Sequence, residues 1–74
     1  MTTEVMTWGR AVREGREARG WTQEELARRL GTHTSTIQKW EGGKTEPKLG
    51  QAQAVARLLG WAQSELLELL PKGR

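Results

Sequence analysis

Apolar residues recur every three or four positions along most of this chain, which is the spacing of helices that bury one face. The spacing is clearest between residues 22 and 41. Leu26 and Leu30 fall on one face of a first short helix. Ile37 and Trp40 share one face of a second short helix. The pattern therefore predicts two amphipathic helices in succession, each packing one face and leaving the other free.

Local signals set the ends of these two helices. Thr22, followed three residues later by Glu25, is a capping box that predicts the start of a helix at the next residue. Gly31 stands where a helix often ends in a left-handed conformation, which costs glycine little. The first helix is thus predicted over 23–30, and the second begins after three turn-like residues and ends near 41.

The same criteria predict three flanking helices, over about 8–19, 49–59 and 63–70, and a loop over 41–47. No strand is expected, so the fold class is all-α. The first and fourth helices are expected to supply these apolar residues to the core: Trp8, Ala11, Val12, Ala18, Leu49, Ala52, Val55, Ala56 and Leu59.

Length and composition limit the chain to one domain over 1–74, with a core over 7–70. There is no cysteine, so disulfides and cysteine-based zinc sites are excluded. No apolar run approaches the ~18 residues of a membrane span, and the first residues lack the pattern of a signal peptide. A cytoplasmic protein is expected, and Met1 together with Pro71 after the last helix fits a complete small protein.

Twelve Lys and Arg against nine Asp and Glu give a formal charge of +3, which modestly favours an anionic partner. The exposed charge between Arg28 and Lys48 is expected to be mainly positive if Glu41 is paired internally. Ordinary solvated surface charge is the alternative interpretation.

Five blocks of sequence stand in a fixed order and spacing: Arg-Gly-Trp-Thr-Gln-Glu-Glu-Leu-Ala at 19–27, Leu-Gly at 30–31, Ser-Thr-Ile-Gln-Lys-Trp-Glu at 35–41, Gly43-Lys44 with Pro47, and Ala-Arg-Leu-Leu-Gly at 56–60. With them, the stretch from Trp8 to Leu67 closely resembles the DNA-binding domain of the XRE family, the phage repressor and Cro-like proteins. The resemblance implies a five-helix lambda-repressor-like fold, a helix-turn-helix at 22–41 and no cofactor.

By this resemblance, the second helix of the motif reads base edges in the major groove through Thr34, Ser35, Gln38 and Lys39. Gln38 suits a bidentate pair with adenine, Lys39 a contact with guanine, and the Thr34 methyl group a thymine methyl. The set is short and polar, which implies modest discrimination or a reliance on water and DNA shape.

The resemblance also implies contacts with DNA phosphates, which position the protein without specifying sequence. Helix dipoles favour an anion at the start of the first motif helix. The candidates are Thr22, Gln23, His33, Thr36, Lys44, Thr45 and Lys48. For the two lysines the alternative is an ordinary solvated charge.

Arg16 and Glu41 match a structural salt bridge of related domains, which links the first helix to the end of the third. His33 is the only histidine and has no acidic or second histidine neighbour in sequence, so we expect no metal site. No catalytic motif is present, and we expect the protein not to be an enzyme.

The chain departs from the family at several positions. His33, Lys48 and Ala62 stand where the family places serine or threonine caps, and each is a poorer cap by ~1 kcal/mol. Gly15 stands where the family prefers a core leucine, and we expect Trp8 or Trp40 to fill the gap. The alternative interpretation of tryptophans this frequent is base stacking. Packing is the interpretation preferred at positions 8, 21 and 40.

The sequence therefore predicts a small sequence-specific regulator of transcription, a repressor, that binds double-stranded DNA at an inverted-repeat operator. Weak homodimerisation is expected through the fifth helix, because of its apolar residues Trp61, Leu66, Leu67, Leu69 and Leu70. One alternative is a protein-interaction module on the same fold, an antitoxin or coactivator. Another is the DNA reader of a larger ligand-responsive regulator.

Overall fold

The computed structural model describes residues 7–70, and all regular structure in that range is helical. The five helices are α1 (Trp8–Ala18), α2 (Gln23–Leu30), α3 (Thr34–Glu41), α4 (Leu49–Leu59) and α5 (Gln63–Leu69). The all-α fold class is confirmed, and the predicted bounds of α2 and α4 are correct. α1 and α5 each end one residue earlier than predicted.

Glycines end four of these helices. At the end of α2, Gly31 has a φ of 70°, in the left-handed region. The Thr32 N–H donates to the Ala27 carbonyl at 2.9 Å, and the Gly31 N–H donates to the Arg28 carbonyl at 3.2 Å. This pair of hydrogen bonds is a Schellman motif, which turns the chain sharply into α3.

The capping box at α2 is complete. Thr22 Oγ1 accepts the Glu25 N–H at 3.0 Å, and the Glu25 carboxylate accepts the Thr22 N–H at 2.8 Å. The second hydrogen bond lowers the pKa of Glu25 below its usual value. The stabilisation from this carboxylate is therefore present at neutral pH and is lost as the pH falls through the lowered pKa.

The weak caps predicted at α3, α4 and α5 are confirmed, because His33, Lys48 and Ala62 make no capping hydrogen bond with their side chains. Two of these starts are partly compensated. The Gln51 side chain accepts the Lys48 N–H at 3.1 Å, and the Glu65 side chain accepts the Ala62 N–H at 2.7 Å. The start of α3 has no such bond.

All five helices contribute residues to the core, and Leu26, Ile37 and Val55 are wholly buried. Two expected core residues are not buried. Ala18 is exposed, and the Leu49 side chain is 61% exposed. Both lie at a helix end, on the margin of the buried face, where periodicity alone does not show how far the neighbouring helices extend.

Tryptophan rings pack against one another and against the core. Trp8 and Trp40 are buried and meet edge to face, with ring centroids 5.3 Å apart. Trp61 is half-buried and meets Trp8 edge to face at 5.7 Å. Trp21 is also half-buried against the core, with the Arg29 guanidinium 4.2 Å from its ring centroid. The packing interpretation is confirmed at positions 8, 21 and 40.

Two glycines of α1 face neighbouring helices. At Gly15 the expectation of a tryptophan filler is wrong, because the nearest atom to a Cβ built there is Leu59 Cδ1, at 2.9 Å. Leu59 of α4 reaches that position, and neither Trp8 nor Trp40 is among the nearest neighbours. At Gly9 a Cβ would overlap the backbone carbonyl oxygen of Trp40. Gly9 therefore permits α1 and α3 to approach closely, a role that the sequence analysis missed.

A polar cluster also joins α1, α2 and α3. Arg16 donates from Nε to Glu41 Oε2 at 2.7 Å and from Nη2 to Glu41 Oε1 at 2.9 Å. Gln23 Nε2 donates to the same Glu41 Oε1 at 3.0 Å, and Arg16 Nη1 donates to the Trp21 carbonyl at 2.8 Å. The Arg16 and Glu41 side chains are 12% and 7% exposed. Hydrogen bonding of the Arg16 guanidinium to the Glu41 carboxylate is the main cause of a raised pKa of Arg16.

We predict that Gly9→Ala destabilises the protein much more than Gly15→Ala, although both replace glycine inside the same helix. Gly9→Ala should lower the free energy of unfolding by about 2 kcal/mol or more, because the new methyl group meets rigid backbone. Gly15→Ala should stay within ~1 kcal/mol of wild type, because the gain in helix propensity offsets a shift of a flexible leucine end. Urea denaturation measures both, and equal losses would contradict the close approach of α1 and α3.

We predict that Arg16→Ala lowers the thermal midpoint by roughly 10 °C or more, because it leaves the nearly buried Glu41 carboxylate without its main partner. The matched control is Arg13→Ala. Arg13 pairs with Glu17 at 3.3 Å in an exposed position, and its loss should shift the midpoint by less than about 4 °C. Calorimetry measures the thermal midpoints of the two variants, and equal midpoints would contradict the structural role of the Arg16–Glu41 pair.

Candidate nucleic-acid interface

α3 presents one free face beside its buried face. Ile37 and Trp40 are 0% and 2% exposed and anchor the helix to the core. The four predicted base-reading residues span about 140° of the opposite side, at ~100° per residue. They are Thr34, which is half-buried, and Ser35, Gln38 and Lys39, which are exposed. The structure therefore brings all four together on one continuous polar surface.

The turn and the neighbouring helix fix the position of that surface. α2 packs against α3 through Leu26 and Ala27, which are 0% and 2% exposed. The short Ala27 side chain lets the two helices cross closely. Ala27 also supplies the carbonyl that holds Thr32 in the turn. The angle between α2 and α3 is thus set by close packing and by backbone hydrogen bonds together.

The predicted phosphate contacts at the start of α2 are only partly available. The Thr22 hydroxyl accepts the Glu25 N–H, and the Gln23 amide donates one of its hydrogens to Glu41. The donors that these side chains retain are the Thr22 hydroxyl hydrogen and the second amide hydrogen of Gln23. Glu24 is also exposed in this first turn, and its negative charge opposes an incoming anion. These constraints were not predicted from the sequence.

The other phosphate candidates lie on the far side of α3. Lys44, Thr45 and Lys48 are exposed in the α3–α4 loop, and the Lys44 N–H donates to the Lys39 carbonyl at 2.8 Å. This bond fixes the backbone of the loop and leaves the lysine side chain free. His33 is exposed at the start of α3, and Thr36 is half-buried at the edge of its polar face.

Ion pairs neutralise the arginines of α1 but not the lysines of α3 and its following loop. Within residues 7–70, the pairs join Arg10 to Glu14, Arg13 to Glu17, and Arg16 to Glu17 and Glu41. Every arginine in these pairs belongs to α1. In the same range, Lys39, Lys44 and Lys48 form no ion pair, so α3 and its following loop keep a net positive charge against the exposed Glu46.

Within residues 7–70, no group of three or more His, Cys, Asp or Glu side chains is placed to hold a metal ion. No described helix has the length and apolar character needed to cross a membrane.

Comparison with known proteins gives a consistent result. Residues 12–62 match the family model described as helix-turn-helix. An uncharacterized HTH-type transcriptional regulator of Methanothermobacter thermautotrophicus is 47% identical over 49 residues, which are 66% of this chain and 71% of that protein. The uncharacterized HTH-type transcriptional regulator YazB of Bacillus subtilis is 35% identical over 63 residues, which are 85% of this chain and 91% of YazB.

The solved structures agree at the level of the fold. The DNA-binding domain of the P22 c2 repressor matches with a TM-score of 0.78 and 23% identity, and the match covers 96% of each chain. This chain belongs to the XRE-type helix-turn-helix family of DNA-binding transcriptional regulators.

Proposed function

We propose that this chain represses transcription by binding double-stranded DNA sequence-specifically, with α3 in the major groove. The observation that best supports the proposal is the rigid mounting of an exposed polar helix face. Arg16, Glu41 and Gln23 tie the end of α3 to α1 and α2, while Ile37 is wholly buried beneath it. A helix held in this way presents base-reading side chains with little conformational entropy left to lose on binding.

Within this proposal, Thr34, Ser35, Gln38 and Lys39 contact base edges. Gln38 is exposed and forms no hydrogen bond with another side chain in the described range, so both ends of its amide are free for an adenine. Lys39 is likewise exposed and donates to guanine acceptors. Thr34 lies at the start of the helix, where a helix points most directly into the groove.

Phosphates are held on both sides of α3. On one side, the α2 amides and the remaining donors of Thr22 and Gln23 make the contact. On the other side, exposed side chains of the α3–α4 loop contact the phosphates. His33, at the start of α3, and Thr36, within it, make smaller contributions. Those loop residues are Lys44, Thr45 and Lys48. Since Gln23 also donates to Glu41, we assign it a positioning role as well as a phosphate contact.

The operator is an inverted repeat bound by a weak two-fold dimer, and α5 provides the contact between copies. Leu67 is 57% exposed on α5, and Trp61, Leu69 and Leu70 are half-buried. Leu66 is 2% exposed, so it belongs to the core and is not available to a partner, contrary to the prediction from sequence. We further propose that the protein acts in the cytoplasm at the nucleoid, without a cofactor and without catalysis.

We predict that Gln38→Ala and Lys44→Ala impair DNA binding in different ways. Gln38→Ala should cost on the order of 1–3 kcal/mol on the preferred site and relax specificity at one base pair, because it removes a base contact. Lys44→Ala should weaken all duplexes alike and reduce the salt slope by about one unit per half-site, because it removes a phosphate contact.

The measurement begins with selection of a site from a random duplex library. Wild type and both variants are then titrated against that site and a scrambled duplex at several salt concentrations. Equal losses for Gln38→Ala on both duplexes would contradict the base-reading role. Failure of wild type to bind either duplex at low salt would favour the protein-interaction module instead.

We predict that Leu67→Ser weakens self-association, whereas Leu49→Ser does not. Both leucines are more than half exposed, but only Leu67 lies on α5. Analytical sedimentation at increasing concentration, with and without DNA, measures the effect. A pure monomer for wild type under both conditions would contradict the dimer. If the dimer forms, the selected site should contain half-sites about one helical turn, ~34 Å, apart.

A further inference from the structure

A shallow groove between α2 and α4 lies apart from the proposed DNA-binding surface. Its volume is about 350 Å³, and it is lined by Arg29, Leu30, Ala54, Arg57 and Leu58. The three apolar residues are half-buried and form its floor. The two arginines are exposed at its edges. The groove thus combines an apolar centre with a positive rim.

Both arginines are available to a partner. Within residues 7–70, neither Arg29 nor Arg57 forms an ion pair, in contrast to the paired arginines of α1. The Arg29 guanidinium stacks 4.2 Å from the centre of the Trp21 ring, which restrains it beside the groove. A restrained guanidinium loses less entropy when it binds a carboxylate. The groove therefore suits an apolar side chain flanked by carboxylates.

The chain itself carries such a surface on α5. Ser64, Leu67 and Glu68 are exposed and share one face of that helix, at spacings of three and four residues. Leu67 is the apolar centre of this face, and Glu68 forms no ion pair within the described residues. Glu65 borders the face, and its Oε1 accepts the Ala62 N–H, which leaves its second carboxylate oxygen for another donor.

We infer that α5 of one copy docks in the α2/α4 groove of a second copy, with Leu67 on the apolar floor and Glu68 beside Arg57. The inference rests on the proposed self-association and names the surface that α5 meets. Packing of α5 against a second α5 would instead bring the carboxylates of the two copies together, which is unfavourable. A reciprocal pair of α5-to-groove contacts has two-fold symmetry, as an inverted-repeat operator requires.

Substitutions that exchange the two charges across the contact test the inference. Arg57→Glu and Glu68→Arg are each expected to raise the dissociation constant of the dimer on the order of tenfold, because each replaces an attraction with a repulsion. An equimolar mixture of the two variants should restore association between unlike chains, which also shows that both variants are folded. Sedimentation of fluorescently labelled chains distinguishes the mixed dimer from wild-type-like homodimers.

Arg13→Glu is the matched control, since it makes the same change of net charge at an exposed arginine outside the groove, and it should leave the dissociation constant within about threefold of wild type. An unchanged dimer in Arg57→Glu, with association lost in Leu67→Ser, would overturn the inference and favour α5 against α5. Absence of any wild-type association would overturn it together with the proposed dimer. Retained binding to a single half-site would then show that the proposed DNA reading stands independently.

Discussion

The carboxylate of Glu41 is the point on which the arrangement of the first three helices depends. It accepts two hydrogen bonds from Arg16 of α1 and one from Gln23 of α2, while its own backbone ends α3. Three helices are thus joined through one nearly buried charge. Loss of either Arg16 or Glu41 would leave the other charge desolvated and without its main partner. The pair therefore opposes separation of the helices more than it adds to the net free energy of unfolding. That rigidity is what a helix needs if it is to present side chains to a groove.

Close backbone approach is the second constraint, and it explains why small residues stand where they do. Gly9 lets α1 reach the carbonyl of Trp40, and Ala27 lets α2 cross α3 closely. The Arg16–Glu41 pair spans the same α1–α3 junction, and a side chain at Gly9 would push the two helices apart and strain that pair. Small residues and a bidentate ion pair therefore act together, because the short distances of the pair require a close junction.

The helices could be predicted from sequence because their signals are local. Gly31 and the Thr22 capping box each act over a few residues, and both lie as predicted. Contacts between distant elements could not be predicted in the same way. The reach of Leu59 to Gly15, the overlap at Gly9 and the bond from Gln23 to Glu41 depend on where whole helices lie. For the candidate site, periodicity predicted that Thr34, Ser35, Gln38 and Lys39 lie opposite the buried face of α3, as the structure has them. It gave no sign that the Gln23 amide is already engaged.

The helix starts differ in a way that follows the proposed division of labour. α2, which positions the motif, has a complete capping box, and α4 and α5 each have one side-chain bond to the N-cap N–H. Of the five described helices, α3 alone has no side-chain hydrogen bond at its start, beside His33. The missing cap costs about 1 kcal/mol in the free protein. The Thr36 N–H donates to the His33 carbonyl at 3.0 Å, but the missing cap leaves the Thr34 and Ser35 N–H groups without a side-chain acceptor. In the proposed complex, a phosphate or base acceptor of DNA would satisfy these two groups, and the stability given up in the free chain would return as affinity.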